Sequence, residues 1–565
     1  LHGYADSEVY KYIEGVSYCM MDREIPGMES QLDSLIELIG TAQWENGHLH
    51  TRDAALGIEF NPENMGTNHR MYNPGHMYEG AVAHHLATGK RNFLDIAIKN
   101  ADMMVSLFGE NKIRGITPGH EEIEVGLMKL YQLTGNEEYV NLAMFLLEER
   151  GTERDKDPHK LERQKHKPVA EQSEAVGHAV RAGYLYMGMA DVALEKNYQP
   201  YTDALDRIWN NVVGKKLYIT GGIGSFHKRM RKNGELGNWE GFGENYELPN
   251  DSYCESCAAI SNALWNYRMF QLHGNAQYID VLERIIYNNG LSMVSMEGNR
   301  FFYQNNLVAP ASGNVVRGPW KGCCTNNILR FIPQVQQFIY ATKGDALYVN
   351  LFIENEAEVE LASNTIHIKQ ETDYPWNGEV RIEVTPEESG KFTVNLRIPG
   401  WASNEPVPSD LYRYYEKMQA TPIIKVNNEL LVLDETQKGF IQMDRKWNKG
   451  DVIKISLPMK TRRVLAHEKV ESNQNKVALE RGPLVYCAEW PDNPSVHDIV
   501  IPDDVELKSS FRHDLLNGIV AIEGEVTDTT GNMRNMVAIP YYTWAHRGEG
   551  DMNVWLNRKK TSKNK

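Results

Sequence analysis

The stretch GHMYEGAVAHHLATGKRNFLDIAIKNADMMV (75–105) decides the fold, because its apolar residues recur at three- and four-residue spacing on either side of a Thr-Gly turn. That is the pattern of two amphipathic helices joined tightly. GHEEIEVGLMKLYQLTGNEEYVNLAMFLLEERG (119–151) repeats it, with the same Gly-His start, helix, Thr-Gly turn and second helix. From His76 to His120 the separation is 120 − 76 = 44 residues, the length of one helical hairpin. A third unit, GHAVRAGYLYMGMADVALEKN (177–197), opens in the same way at His178. Stacked helical hairpins form either a solenoid or a closed ring. A Gly-His at each helix start favours the ring, in which His76, His120 and His178 converge on one central pocket. A lone histidine at a helix start is more often a cap or a satisfied core group. Three in one register argue for a shared purpose.

This helical pattern runs to about residue 342, and beyond it the period changes to two. VRIEV (380–384), FTVNLRIPGW (392–401) and DVIKISLP (451–458) alternate apolar and polar residues as half-buried strands do. A charged linker, HEKVESNQNK (467–476), separates them from a second β segment that starts at VALERGPLVYCAEW (477–490) and closes at YYTWAHRGEGDMNVWLN (541–557). The expected organisation is α then β. A helical domain is expected over 1–342, antiparallel β-sandwich domains over 343–466 and 467–558, and a disordered lysine-rich tail over 559–565.

Composition narrows the function. The 60 basic and 76 acidic residues leave a net charge of −16, which repels phosphate backbones and anionic membrane surfaces and so argues against nucleic acid as a partner. No run of about 18 apolar residues occurs, which excludes a helical membrane span. A neutral substrate fits better, and 11 Trp, 28 Tyr and 18 His suit a carbohydrate, whose apolar C–H faces pack on aromatic rings. The chain opens on LHGYADSEVYKYIEG, with neither an initiator Met nor a leader-like apolar stretch. A segment upstream is therefore expected. The compartment, periplasm or cytoplasm, stays open, as does a homodimer.

Six cysteines in 565 residues are too few for a disulfide scaffold, and four of them fall in two clusters, WEGFGENYELPNDSYCESC (239–257) and RGPWKGCCTNN (317–327). Cys323 and Cys324 are adjacent and could pair only as a strained vicinal disulfide, so a metal site is the better reading. Glu255 and Cys257 with Cys323 and Cys324 supply three sulfurs and one oxygen, a set suited to tetrahedral zinc. Cys254 could replace one of them or pack as a small apolar residue. Cys19 and Cys487 read as buried apolar thiols. All-protein tetrahedral zinc is usually structural, and a staple between two helices is the competing reading. Against a pure staple stand the nearby carboxylates Glu240, Glu244, Glu247 and Asp251. Zinc also lowers a thiol's pKa until the nucleophilic thiolate prevails, so a zinc-bound cysteine facing a carboxylic acid can serve as a nucleophile and acid pair.

At these residues the chain resembles glycoside hydrolase family 127, whose best-known activity is β-L-arabinofuranosidase. The likeness extends through DSEVYKYIEGVSY (6–18), YNPGHMYEGAVAHHLATGKR (72–91), GHEEIEVGLMKLY (119–131), EQSEAVGHAVRAGYLYMGMADVA (171–193), ENYELPNDSYCESCA (244–258), FFYQN (301–305), ALERGPLVYC (478–487) and NVWLN (553–557). The resemblance implies a catalytic (α/α)6 barrel followed by β-sandwich domains. It also implies zinc held by Glu255, Cys257, Cys323 and Cys324, with Cys323 as nucleophile. Anchored on LPND (248–251), it assigns the acid/base to Glu240, with Glu244 in reserve, and sugar binding to His76, His120, His178 and Tyr303. Glu79 and Glu171 lie near such histidines as possible supports, although solvated helix faces are the commoner role.

The implied reaction is hydrolysis of a terminal β-L-arabinofuranosyl residue of a plant glycan by double displacement with retention. Two departures from the family pattern adjoin the reactive centre. Thr325-Asn326 stand where prolines are expected, and Cys254 is extra. A branched or carboxylated pentose of complex pectin is the alternative substrate, favoured if Arg317 or Lys321 faces the pocket. From other classes, a carbohydrate-binding protein with structural zinc and a metal-free barrel epimerase or lyase remain in play.

Overall fold

The computed structural model describes residues 2–230, 236–310, 316–431 and 436–561. The helical region contains α1 (Ala5–Asp22), α2 (Met28–Ala42), α3 (Thr51–Leu56), α4 (Tyr72–Thr88), α5 (Asn92–Leu107), α6 (Ile123–Thr134), α7 (Glu137–Glu149), α8 (Ala179–Lys196), α9 (Gln199–Lys215), α10 (Ser256–His273), α11 (Ala276–Ile285) and α12 (Cys323–Gln334). Local chemistry sets many of the ends. Asn136 and Asn275 accept the backbone N–H two residues on, and Gly89, Gly135 and Gly274 take the left-handed conformation that closes α4, α6 and α10.

Contacts between the helices close on themselves. α1 packs on α4, α4 on α6, α6 on α8, α8 on α10, α10 on α12, and α12 returns to α1. α5, α7, α9 and α11 pack outside, each against its hairpin partner. Burial follows this division. α4, α8 and α10 are buried along nearly their whole length, whereas α5 and α9 bury one stripe; α11, caught between the helices and the sheets, is buried almost throughout. No helix of the described residues is long and apolar enough to cross a membrane.

Arg330 holds the closure of this ring. It lies on α12 with its side chain fully buried, 3.0 Å from Glu14 of α1 and 2.6 Å from Glu79 of α4. Its neighbour Gln334 donates to Glu14 at 3.2 Å. Arg330→Met would leave two buried carboxylates without their cation, and we expect it to destabilise the chain by about 3–5 kcal/mol, read as a lowered denaturant midpoint.

Two packed β regions follow. Between 340 and 457 lie a six-stranded and a four-stranded sheet, and an eleven-stranded sheet takes in the rest. The sheets are not wholly antiparallel as expected. Ala346–Val349 runs parallel to Gly390–Arg397, and Val500–Pro502 runs parallel to Leu556–Lys559. The change of sheet also comes before the linker at 467–476, because Thr461–Ala466 pairs with Lys476–Arg481, and Tyr412–Tyr414 pairs with Thr461–Ala466 in turn. A charged linker marks a loop and not a change of sheet. Of the tail expected to be disordered, Lys559 ends a strand, and 562–565 lie outside the described residues. Ion pairs join helices to sheets: Arg284 of α11 reaches Glu480 at 2.6 Å, and Arg397 reaches Asp280 at 2.6 Å and Glu283 at 2.5 Å.

Candidate active site

Glu255 immediately precedes α10, and its backbone pairs with that of Gln304 as a β-bridge. This bridge brings the 301–305 segment alongside the first turn of α10, where Cys257 sits. Gly322, at φ 56, turns the chain into α12, so that Cys323 and Cys324 begin that helix. The starts of α10 and α12 thus meet. Cys257 Sγ lies 3.3 Å from Cys324 Sγ and 3.9 Å from Cys323 Sγ, while Glu255 Oε1 lies 3.4 Å from Cys324 and 3.7 Å from Cys323.

All four ligand atoms fall within 4.8 Å of one another. A tetrahedron of sulfurs at the usual zinc distance has edges of about 3.8 Å, somewhat less where oxygen replaces sulfur. The spacing and the donor set therefore fit zinc. Cys254 is not in this cluster. It is fully buried, its thiol faces Gly222, and burial pushes its pKa up to about 12. That is the packing role.

The three cluster sulfurs are not equivalent. Cys257 and Cys324 are buried, and burial pushes both thiols up, whereas Cys323 is only half-buried and its thiol is held well below the usual range. The neighbouring Cys257 and Cys324 thiols are the main cause, and the Lys11 charge and Tyr303 hydroxyl assist. Lys11 is fully buried and 2.9 Å from Glu8, whose charge keeps it protonated despite burial.

Glu240 stands across from the sulfurs. It ends the hairpin of β1 (Phe226–Met230) and β2 (Leu236–Gly241), and an isolated bridge joins Gly241 to His178. Glu240 Oε2 accepts from His178 Nε2 at 2.8 Å, and Oε1 accepts from Tyr253 at 2.8 Å and Tyr303 at 3.1 Å. Burial raises its pKa, but the hydrogen bonds from His178 and Tyr253 outweigh that and hold it below the usual range. His178 Nδ1 accepts the Val180 N–H at 3.3 Å, which fixes Nε2 as the donor to Glu240. Tyr303 also touches Cys323 at 4.0 Å, spanning from the carboxylate to the sulfur.

The remaining residues singled out in the sequence divide. His120 lies beside His178, with rings 6.0 Å apart, and its Nδ1–H donates to the Glu121 carbonyl at 2.9 Å, leaving Nε2 as an acceptor. Burial lowers the pKa of both rings, which favours neutral imidazoles; His120 keeps Nε2 open as an acceptor, while His178 could meet a further group only by sharing the N–H that it gives Glu240. His76 is placed differently. Its side chain is 0% exposed, behind Tyr72 and 3.0 Å from Glu122.

The cause is local: α4 starts at Tyr72, with Pro74 tolerated in its first turn, so His76 falls inside the helix instead of at its start. The imidazole that accompanies His120 is His69, with rings 5.9 Å apart. His69 sits in the preceding loop at φ 63, and burial lowers its pKa to about 3. Glu244 and Glu171 are exposed, and Glu79 is committed to Arg330.

Arg317 does not face the pocket. It donates to the carbonyls of Ser292, Trp544 and Tyr542 and stacks on Phe302 at 4.1 Å, which makes it a brace to the last β region. Thr325 accepts the Lys321 N–H at 2.8 Å, and Asn326 donates to the Glu8 carbonyl at 2.9 Å, tying α12 to α1. Cys487 is buried as expected, whereas Cys19 is only half-buried.

Tyr253 went unread in the sequence, because Cys254, between it and Glu255, stands at φ 34, a local turn that the sequence does not signal. Its hydroxyl is 2.8 Å from Glu240 and 3.1 Å from Glu255, linking the carboxylate of the cluster to the one opposite.

A thiol held below its ordinary range, with a hydrogen-bonded carboxylate across from it where two helix starts meet, is an arrangement able to serve hydrolysis of a glycosidic bond, and the comparisons place the chain among such hydrolases. Residues 2–337 match the family model for the β-L-arabinofuranosidase GH127 catalytic domain, 346–459 the GH127 middle domain, and 461–557 the glycoside hydrolase family 127 C-terminal domain. The chain belongs to glycoside hydrolase family 127 and is a glycoside hydrolase. A non-reducing end β-L-arabinofuranosidase of Bifidobacterium longum subsp. longum is 31% identical, over 99% of this chain and 90% of its own length. Among solved structures, a GH127 β-arabinofuranosidase is 44% identical with a TM-score of 0.91, over 99% of this chain and 89% of that one. A GH127 β-L-arabinofuranosidase from Geobacillus stearothermophilus T6 is 36% identical with a TM-score of 0.90, over 99% and 91%.

Proposed function

We propose that this chain is a zinc-dependent retaining β-L-arabinofuranosidase that removes terminal β-L-arabinofuranosyl residues from plant glycans or glycoproteins. The observation that carries the mechanism is the half-buried Cys323 sulfur, beside two buried partners and opposite Glu240. The substrate rests on the printed activity of the similar proteins. We read the closed ring of helices as the (α/α)6 barrel, with the sulfurs and Glu240 at its mouth.

Glu255, Cys257, Cys323 and Cys324 would hold the zinc, which when bound keeps the thiols ionised at neutral pH. In the first step Cys323 attacks the anomeric carbon while the protonated form of Glu240, the minor one at rest because its hydrogen bonds favour the carboxylate, donates its proton to the departing oxygen, giving a thioglycosyl enzyme. Water then attacks the same carbon and Glu240, now ionised, takes its proton, which releases the sugar with its configuration retained and frees the thiolate. His120, His178 and Tyr303 hold the sugar hydroxyls, with His69 as the third imidazole. His76 supports this shell from beneath, through Tyr72.

The test is hydrolysis of a panel of p-nitrophenyl pentosides before and after chelation. We expect release from the β-L-arabinofuranoside, loss of activity and a lower unfolding temperature on zinc removal, and recovery of both when zinc is returned under reducing conditions. Cleavage of another pentoside in its place would overturn the substrate. Activity that survives stoichiometric metal removal would overturn the zinc.

A further inference from the structure

Glu240 has three hydrogen-bonded neighbours, the buried His178 and Tyr253 and the half-buried Tyr303, and one neighbour of a different kind. His227 Nε2 lies 3.7 Å from Glu240 Oε1, and its side chain is 46% exposed where that of Glu240 is 14% exposed. The register of the hairpin explains the placement. Phe226 pairs with Gly241 and Lys228 with Trp239, which sets His227 of β1 across from Glu240 of β2. Its ring stacks on Tyr253, with centroids 5.0 Å apart and planes at 26°, so the edge carrying its nitrogens is held in a fixed direction.

From solvent inward the order is therefore His227, Glu240, then the sulfurs. A leaving oxygen protonated by Glu240 must come within about 3 Å of a carboxyl oxygen. Whatever that oxygen is attached to then lies within a few ångströms of the His227 ring.

We infer that His227 is a specificity-determining residue that hydrogen-bonds a hydroxyl of the leaving group, so that the site takes a hydroxylated aglycone, a second sugar, in preference to a small apolar one. This rests on the reading of Glu240 as the acid/base. An imidazole is both donor and acceptor, which suits a sugar hydroxyl, and Tyr253 spares it the entropy of ordering.

The test compares a disaccharide with a terminal β-L-arabinofuranosyl unit against the methyl glycoside of the same sugar, with wild type and with His227→Phe. The phenyl ring keeps the stack on Tyr253 and removes both nitrogens. The ratio of kcat/KM for the disaccharide to that for the methyl glycoside is expected to fall by about tenfold, through a higher KM, as a lost hydrogen bond dictates. An unchanged ratio overturns the inference. So does an equal fall on both substrates with a shifted pH profile, which would mean that His227 acts only on Glu240. If wild type cleaves neither glycoside, the proposed function fails instead.

Discussion

Cys323→Ser is expected to lower kcat/KM by about 10⁴-fold or more while the fold remains intact, because the hydroxyl that replaces the thiolate stays protonated and poorly nucleophilic at neutral pH. The variant keeps Glu255, Cys257 and Cys324, so it should still bind zinc, more weakly than wild type. Cys257→Ser is the informative partner. Cys257 is buried where Cys323 is only half-buried, so its loss should act through metal affinity, and added zinc should restore part of the activity. Added zinc should not restore Cys323→Ser. Measuring both variants across a zinc titration separates a nucleophile from a ligand.

Glu240→Gln is expected to cost about 10²–10⁴-fold in kcat/KM on substrates with a poor leaving group, and far less where the leaving group departs without protonation, as p-nitrophenolate does. On such activated substrates the second step becomes limiting, because no base remains to deprotonate water. A small anionic nucleophile such as azide should then restore turnover and give the glycosyl azide of retained configuration. The amide oxygen can still accept from Tyr253 and Tyr303, but its NH2 then faces the His178 N–H, so a modest rise in KM should accompany the fall in kcat.

Much of this was legible in the sequence, and the reasons differ by residue. The Thr-Gly turns and three-to-four periodicity of 75–151 announce helical hairpins, because both signals are local. The four residues of the cluster were legible as a candidate metal set despite lying 69 residues apart at the extremes, 324 − 255, because few arrangements other than a metal explain a Glu-x-Cys and a Cys-Cys in one chain.

Histidine placement was legible only in part. Gly-His recurs at 75, 119 and 177, but the helix has already begun at the first, starts three residues after His120 at the second, and begins just after His178 at the third. Equal words in sequence thus became unequal positions in space, and His69, which has no preceding glycine, took the place expected of His76. The alliance of Tyr253 with both carboxylates and the facing of His227 and Glu240 depend on strand register and on the 301–305 bridge, both long-range. The parallel strand pairs are likewise tertiary facts, since a strand's sequence does not say which way its neighbour runs.

The sulfur that attacks can be caught directly. Glu240→Gln incubated briefly with p-nitrophenyl β-L-arabinofuranoside should accumulate the covalent intermediate, because the first step no longer needs the acid and the second lacks its base. Proteolysis and fragment mass analysis should then find one pentosyl group on Cys323, absent when Cys323 is also replaced. A pentosyl group on a carboxylate, or none under conditions where p-nitrophenol is released in a burst, would contradict the mechanism.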